Sequence, residues 1–136
     1  MTSKVTYKGK LRTSCTHLQS DSTIETDAPI DNNGKGERFS PTDLLATSLA
    51  SCMLTVMGIK ANSMNIDMEG IEVDVEKGME ADPRRVAKIG LSFRFPTGMN
   101  MSDKEISILK HTALTCPVAK SIHPDIVLNI DWGRWN

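Results

Sequence analysis

An α+β fold with a mostly antiparallel sheet is the fold class the sequence predicts, and three observations carry it. Residues 44–59 (LLATSLASCMLTVMGI) hold no charge, while the segments on both sides alternate apolar and polar residues with period two. A second helical pattern with its own start signal lies between the second group of strands and a last alternating segment. Strands, apolar helix, strands, helix and strand in that order make an α+β chain. The 136 residues are 39% hydrophobic and 24% charged, which suffices for one domain core and excludes overall disorder. The chain is read as a single domain over 1–136, because the linkers are too short to separate two.

Each element has its own justification. Val5 and Tyr7 alternate with polar residues, and Gly9 marks a turn. The Thr-rich stretches 11–18 and 22–26 read as two further edge-like strands. Residues 27–39 are a polar loop with an Asn-Gly step, of a length that is functional, mobile or a plain surface insertion. Ser40 fits an N-cap, Pro41 the first helical position, and Asp43 stands three residues past the cap. The run 44–59 is shorter than the roughly 20 residues of a membrane span, and its hydroxyls and Gly58 favour packing in a soluble protein. A helix apolar on all sides must be covered on all sides. Ile71, Val73 and Val75 alternate with acids, and Ile89, Leu91, Phe93 and Phe95 alternate after a turn at 82–85. These two runs predict an antiparallel pair with one buried face. Ser102 and Glu105 form a capping-box pair, followed by an apolar stripe of Ile106, Leu109, Ala113 and Leu114. Pro117 stops that helix, a short one follows to about Ile122, and Ile126 to Trp132 is the last strand.

Composition excludes several functions. Lys and Arg number 16 against 17 acids, with no basic stripe, so nothing points to nucleic acid. The N-terminal MTSKVTYKGK has no apolar signal-peptide core, and three scattered cysteines make no disulfide framework. A reducing cytoplasm is the expected compartment, with no membrane partner. Eight methionines suggest that part of the apolar surface is an interface.

The cysteines are the candidates for chemistry. Cys52 sits midway along the apolar helix, where a buried thiol is either a small hydrophobe or a nucleophile needing outside help. Cys116 precedes Pro117, at the start of a helical turn, where unpaired N–H groups and the dipole are expected to lower its pKa; Lys120 lies one turn on. Cys15 reads as structural. A metal site reads poorly, since there is no Cys-x-x-Cys and no paired histidine. His17, His111 and His123 are isolated. A nucleophile pair of Cys116 with His111 or His123, as in an acyl transferase, stays open.

Two segments together resemble a known family. Phe39-Ser40-Pro41-Thr42-Asp43-Leu44-Leu45-Ala46 with Ala50-Ser51-Cys52, and Thr115-Cys116-Pro117-Val118-Ala119-Lys120-Ser121, resemble the two motifs of the OsmC/Ohr family (osmotically inducible and organic hydroperoxide resistance proteins). The resemblance implies antiparallel sheets packed around a long central helix in an intertwined homodimer, with active sites at the subunit interface. It implies a thiol-dependent peroxidase for organic hydroperoxides or hydrogen peroxide, in which Cys52 attacks the peroxide and Cys116 resolves it as a disulfide. It implies no bound cofactor, only an external dithiol or lipoyl-type reductant. It also implies a cation beside Cys52: Arg38 and Arg12 are the candidates, with Asp43 as a supporting carboxylate or simply a helix-start acid. The hydroperoxide resistance branch has Glu directly after the proline, where this chain has Thr42. A non-enzymatic stress or ligand-binding protein with a pocket at the dimer interface is therefore the alternative. Met53 and Met57 flank Cys52 and are read as packing.

Overall fold

The computed structural model describes residues 1–136, which fall into two compact units, Met1–Leu45 and Ala46–Asn136. In the first, β1 (Ser3–Gly9), β2 (Arg12–His17) and β3 (Thr23–Asp27) form an antiparallel meander. Its register places Val5 opposite Cys15 and Cys15 opposite Ile24, and sets Arg12 opposite Asp27. The third strand runs one residue beyond the sequence expectation, and that residue matters below. The loop after it is ordered rather than a bare insertion. A short 3-10 turn covers Ile30–Asn32, and the carbonyl of Pro29 accepts from Asn32 and Gly34. Gly34 is required there, because a Cβ would lie 1.6 Å from the carbonyl oxygen of Ala28.

Helix α1 (Pro41–Ser63) starts where Ser40 and Asp43 cap each other: the Asp43 N–H donates to Ser40 Oγ at 3.0 Å and the Ser40 N–H to Asp43 Oδ2 at 2.9 Å. This is the reciprocal geometry of a capping box, with Asp in place of Glu. The helix has 23 residues, longer than its uncharged run. It reaches the length and apolarity of a membrane span, with mean hydropathy 1.6 and 33% of the best window buried, so the argument from length does not hold.

In the second unit β4 (Glu72–Glu80) and β5 (Arg85–Arg94) form the expected antiparallel pair, while β6 (Val127–Asp131) joins β5 in parallel. The two sheets are thus three-stranded each, and the one parallel pairing among three antiparallel ones fits a mostly antiparallel architecture. The cause of the parallel pairing is the crossover between β5 and β6, which contains α2 (Asp103–Leu114) and α3 (Pro117–Ser121). A period-two pattern identifies a strand but not the direction of its neighbour. Phe95 lies just past β5 and stacks on Trp135 at 3.9 Å between centroids. Leu114, expected on the buried stripe of α2, is 45% exposed, because Leu109 and Ala113 already define that face.

Within this unit α1 buries one stripe: Ala46, Leu49, Ala50, Met53, Met57 and Ala61 join Ile89, Leu91, Phe93 and Leu109 in the core. The spacing is that of a single helix face. Met53 and Met57 are fully buried, as packing residues should be. Cover on all sides is not achieved by the chain itself. Ile59 is 68% exposed, and a groove of about 470 Å³ runs past Thr47, Ser51, Leu54 and Thr55 against Val73 and Val75.

Candidate active site

Cys52 is half-buried on α1, packed against the core, and Cys116 is fully buried. They are 64 residues apart in sequence, yet their thiols interact directly. The fold brings them together because Cys116 sits between α2 and α3, on the crossover of the sheet that α1 packs against. Its backbone is extended as the N-cap of α3, and its sulfur accepts the Ala119 N–H at 3.3 Å. Pro117 supplies the first helical position and needs no hydrogen-bond acceptor there.

The electrostatics of Cys116 differ from the expectation. Burial pushes its thiol above the ordinary value; the Ala119 N–H pulls it down, and the neighbouring Cys52 adds to the rise. Desolvation of a thiolate outweighs the help of one turn of helix. At rest Cys116 is therefore a protonated thiol, and a negative charge on Cys52 disfavours a second one beside it.

No histidine joins the pair. His123 Nδ1 accepts the Asp125 N–H at 3.2 Å and lies 3.7 Å from the Asp125 carboxylate, while His17 Nδ1 is 2.7 Å from Ser20 Oγ. His111 is exposed on α2, and Lys120 is exposed on α3. The Cys–His nucleophile is thus not formed. Cys15 lies in the first unit, 3.8 Å from Thr13 Oγ1.

The first unit contains a separate charged cluster. Arg12 is gripped by Asp27 through two parallel bonds, Nε to Oδ1 at 2.7 Å and Nη2 to Oδ2 at 2.8 Å. Glu37 accepts from the same Nη2 at 2.8 Å, and its N–H donates to Asp27 Oδ2 at 3.2 Å. Asp27 is 1% exposed. The Arg12 guanidinium holds the Asp27 carboxyl below the usual carboxylate range, and the two acids raise Arg12 further above its high ordinary value. Arg38 is placed less firmly: it is exposed, reaching Glu25 at 3.3 Å and the Glu37 carbonyl at 3.0 Å. Asp43 serves the cap of α1. Sequence reading missed Asp27 and Glu37. The signal for Asp27 was its place opposite Arg12 across the strand pair, one residue beyond where β3 was expected to end.

Comparison with known proteins gives the fold a context. The profile of the OsmC-like protein family matches residues 34–131. A crystal structure from Psychrobacter arcticus 273-4, provisionally described as an osmotic stress induced and detoxification response protein, is 60% identical with TM-score 0.92, covering 96% of this chain and 94% of that one. An organic hydroperoxide resistance protein OsmC from Legionella pneumophila shares the fold at 18% identity and TM-score 0.69, with 96% of each chain covered. An OsmC-like protein from Mycoplasma pneumoniae does so at 16% and 0.76, covering 95% and 92%. No match was found among curated proteins.

Proposed function

The chain belongs to the OsmC-like family, and from that premise we propose that it is a thiol-dependent peroxidase acting on organic hydroperoxides or hydrogen peroxide. The observation that carries the reading is the meeting of Cys52 and Cys116. The half-buried Cys52 is the member a peroxide reaches, and the buried Cys116 waits beside it. The Cys52 thiolate attacks the O–O bond, the alcohol leaves with a proton, and Cys52 becomes a sulfenic acid. Cys116 attacks that sulfur, water leaves, and a disulfide forms; an external dithiol or lipoyl-type reductant returns both thiols. Of the two candidate arginines, Arg12 is held in a fixed geometry by Asp27 and Glu37, and Arg38 is held less firmly by Glu25. A homodimer in a reducing cytoplasm completes the reading. The uncovered apolar side of α1 supports the dimer, and three free cysteines support the compartment.

The test is consumption of tert-butyl hydroperoxide with dihydrolipoamide as reductant. Wild type should turn over, Cys52→Ser should not, and peroxide-treated wild type should show a Cys52–Cys116 disulfide with Cys15 free by mass spectrometry. A Cys52→Ser protein as active as wild type sinks the proposal. A second reading is favoured by Thr42 and by the engagement of Asp43 in the helix cap. It is a non-enzymatic binding protein, and it predicts no turnover with either protein.

A further inference from the structure

We propose that the cavity between α2 and the 3-10 turn Gly133–Trp135 is a binding site for a small organic carboxylate with an apolar body. The cavity holds about 400 Å³, within the roughly 300–1,000 Å³ of small-molecule pockets. Lys110 and Arg134 line it together with Ile106, Ser107 and Trp135. Both cations are anchored on neutral groups. Lys110 Nζ donates to the Trp135 carbonyl at 2.9 Å and stands 5.5 Å from the centre of the Trp132 ring. Arg134 Nη2 donates to the Met99 carbonyl at 2.7 Å, with the guanidinium 5.5 Å from the centre of the Phe95 ring. No carboxylate stands among these partners, and each cation keeps N–H groups for an anion.

The turn that carries Arg134 is fixed in place. Gly133 has a φ of +55°, and a Cβ there would lie 2.5 Å from the Phe93 carbonyl oxygen, so glycine lets the turn close onto β5. The Trp132 N–H donates to Asn136 Oδ1 at 3.0 Å, and the Gly133 N–H donates to Asp131 Oδ1 at 2.9 Å. A site whose donors are already positioned loses little freedom when a ligand arrives. The guanidinium fork matches a carboxylate through parallel N–H bonds, and the ammonium adds a second positive charge. Ile106 offers an apolar wall to the rest of the ligand. Asp103 also lines the cavity and limits what it takes: a dianion would meet this like charge twice over, which favours a monoanion. Neither Cys52 nor Cys116 lines this cavity, so the inference is independent of the peroxidase reading.

Isothermal titration of the full chain with 2-naphthoate tests the site. Saturable binding is expected, weakened about tenfold by Arg134→Gln or Lys110→Gln. Lys104→Gln, at an exposed lysine of the same helix outside the cavity, should leave it unchanged. Ser107→Glu adds a carboxylate at an exposed lining position and removes neither cation; it should abolish binding while the melting temperature stays at the wild-type value. The uncharged 2-naphthamide should bind about tenfold more weakly than the acid. A Kd for 2-naphthoate above about 1 mM, equal binding of amide and acid, or binding untouched by Arg134→Gln and Ser107→Glu overturns the site. Inorganic phosphate that displaces 2-naphthoate at matching concentration overturns the preference for an organic monoanion.

Discussion

At the scale of single residues, the most informative atom is a buried sulfur. Cys116 holds its proton in the folded chain under conditions where the unfolded chain has lost it. Stability linked to this group is therefore full below the ordinary thiol value and falls as pH rises through that value toward the raised one. Urea unfolding between about pH 8 and pH 10 should show this decline. Cys116→Ser should flatten it, and serine, a good cap, should keep α3 in place. Asp27 works in the opposite direction. Its carboxyl is held below the usual range, so its stability is present above that range and lost as pH falls through the folded value. Asp27→Asn should lower the melting temperature at neutral pH and flatten the acid limb of its pH profile. Arg12→Ala, which leaves the buried Asp27 without its partner, should lower the melting temperature more than Arg38→Ala, whose ion pair is exposed.

At the scale of elements, what was legible in the sequence was what local chemistry dictates. Ser102 and Glu105 make the box their spacing announces: the Ser102 N–H donates to Glu105 Oε2 at 2.8 Å and the Glu105 N–H to Ser102 Oγ at 3.3 Å. Ser102→Ala should cost about 1 kcal/mol of stability, measured by denaturant unfolding. The α1 stripe is equally readable, and Leu49→Ala, at a fully buried position, should cost about 2–5 kcal/mol. Illegible were the features set by partners far away in sequence. The parallel edge depends on a crossover, and the meeting of Cys52 with Cys116 depends on where that crossover returns. The grip on Arg12 depends on a loop folding back to deliver Glu37. Periodicity encodes burial along one element, and none of these is a property of one element.

For the whole molecule, the question is what covers α1. A glycine in mid-helix costs up to about 1 kcal/mol relative to alanine. Nothing in the chain demands Gly58, since a Cβ there would meet no atom within 4 Å. In the proposed dimer, a close approach from a second chain would give the glycine a reason, and burial of the exposed Ile59 beside it would favour that approach. Sedimentation equilibrium should return twice the 15.0 kDa of one chain, and Gly58→Leu should shift the balance toward the monomer. A wild-type protein sedimenting as a monomer would remove the dimer from the proposal.

The crossover between β5 and β6 also has a consequence in time. Ribosomes deliver the chain from its N-terminus, so Cys15 and Cys52 leave the exit tunnel well before Cys116. The edge strand that locks the crossover, β6, comes later still. Until then Cys52 stands without its companion sulfur, and an oxidant meeting the nascent chain finds both Cys15 and Cys52 as lone thiols. On the proposed peroxidase reading, a Cys52–Cys116 disulfide therefore becomes possible only after Cys116 has emerged and the crossover has folded.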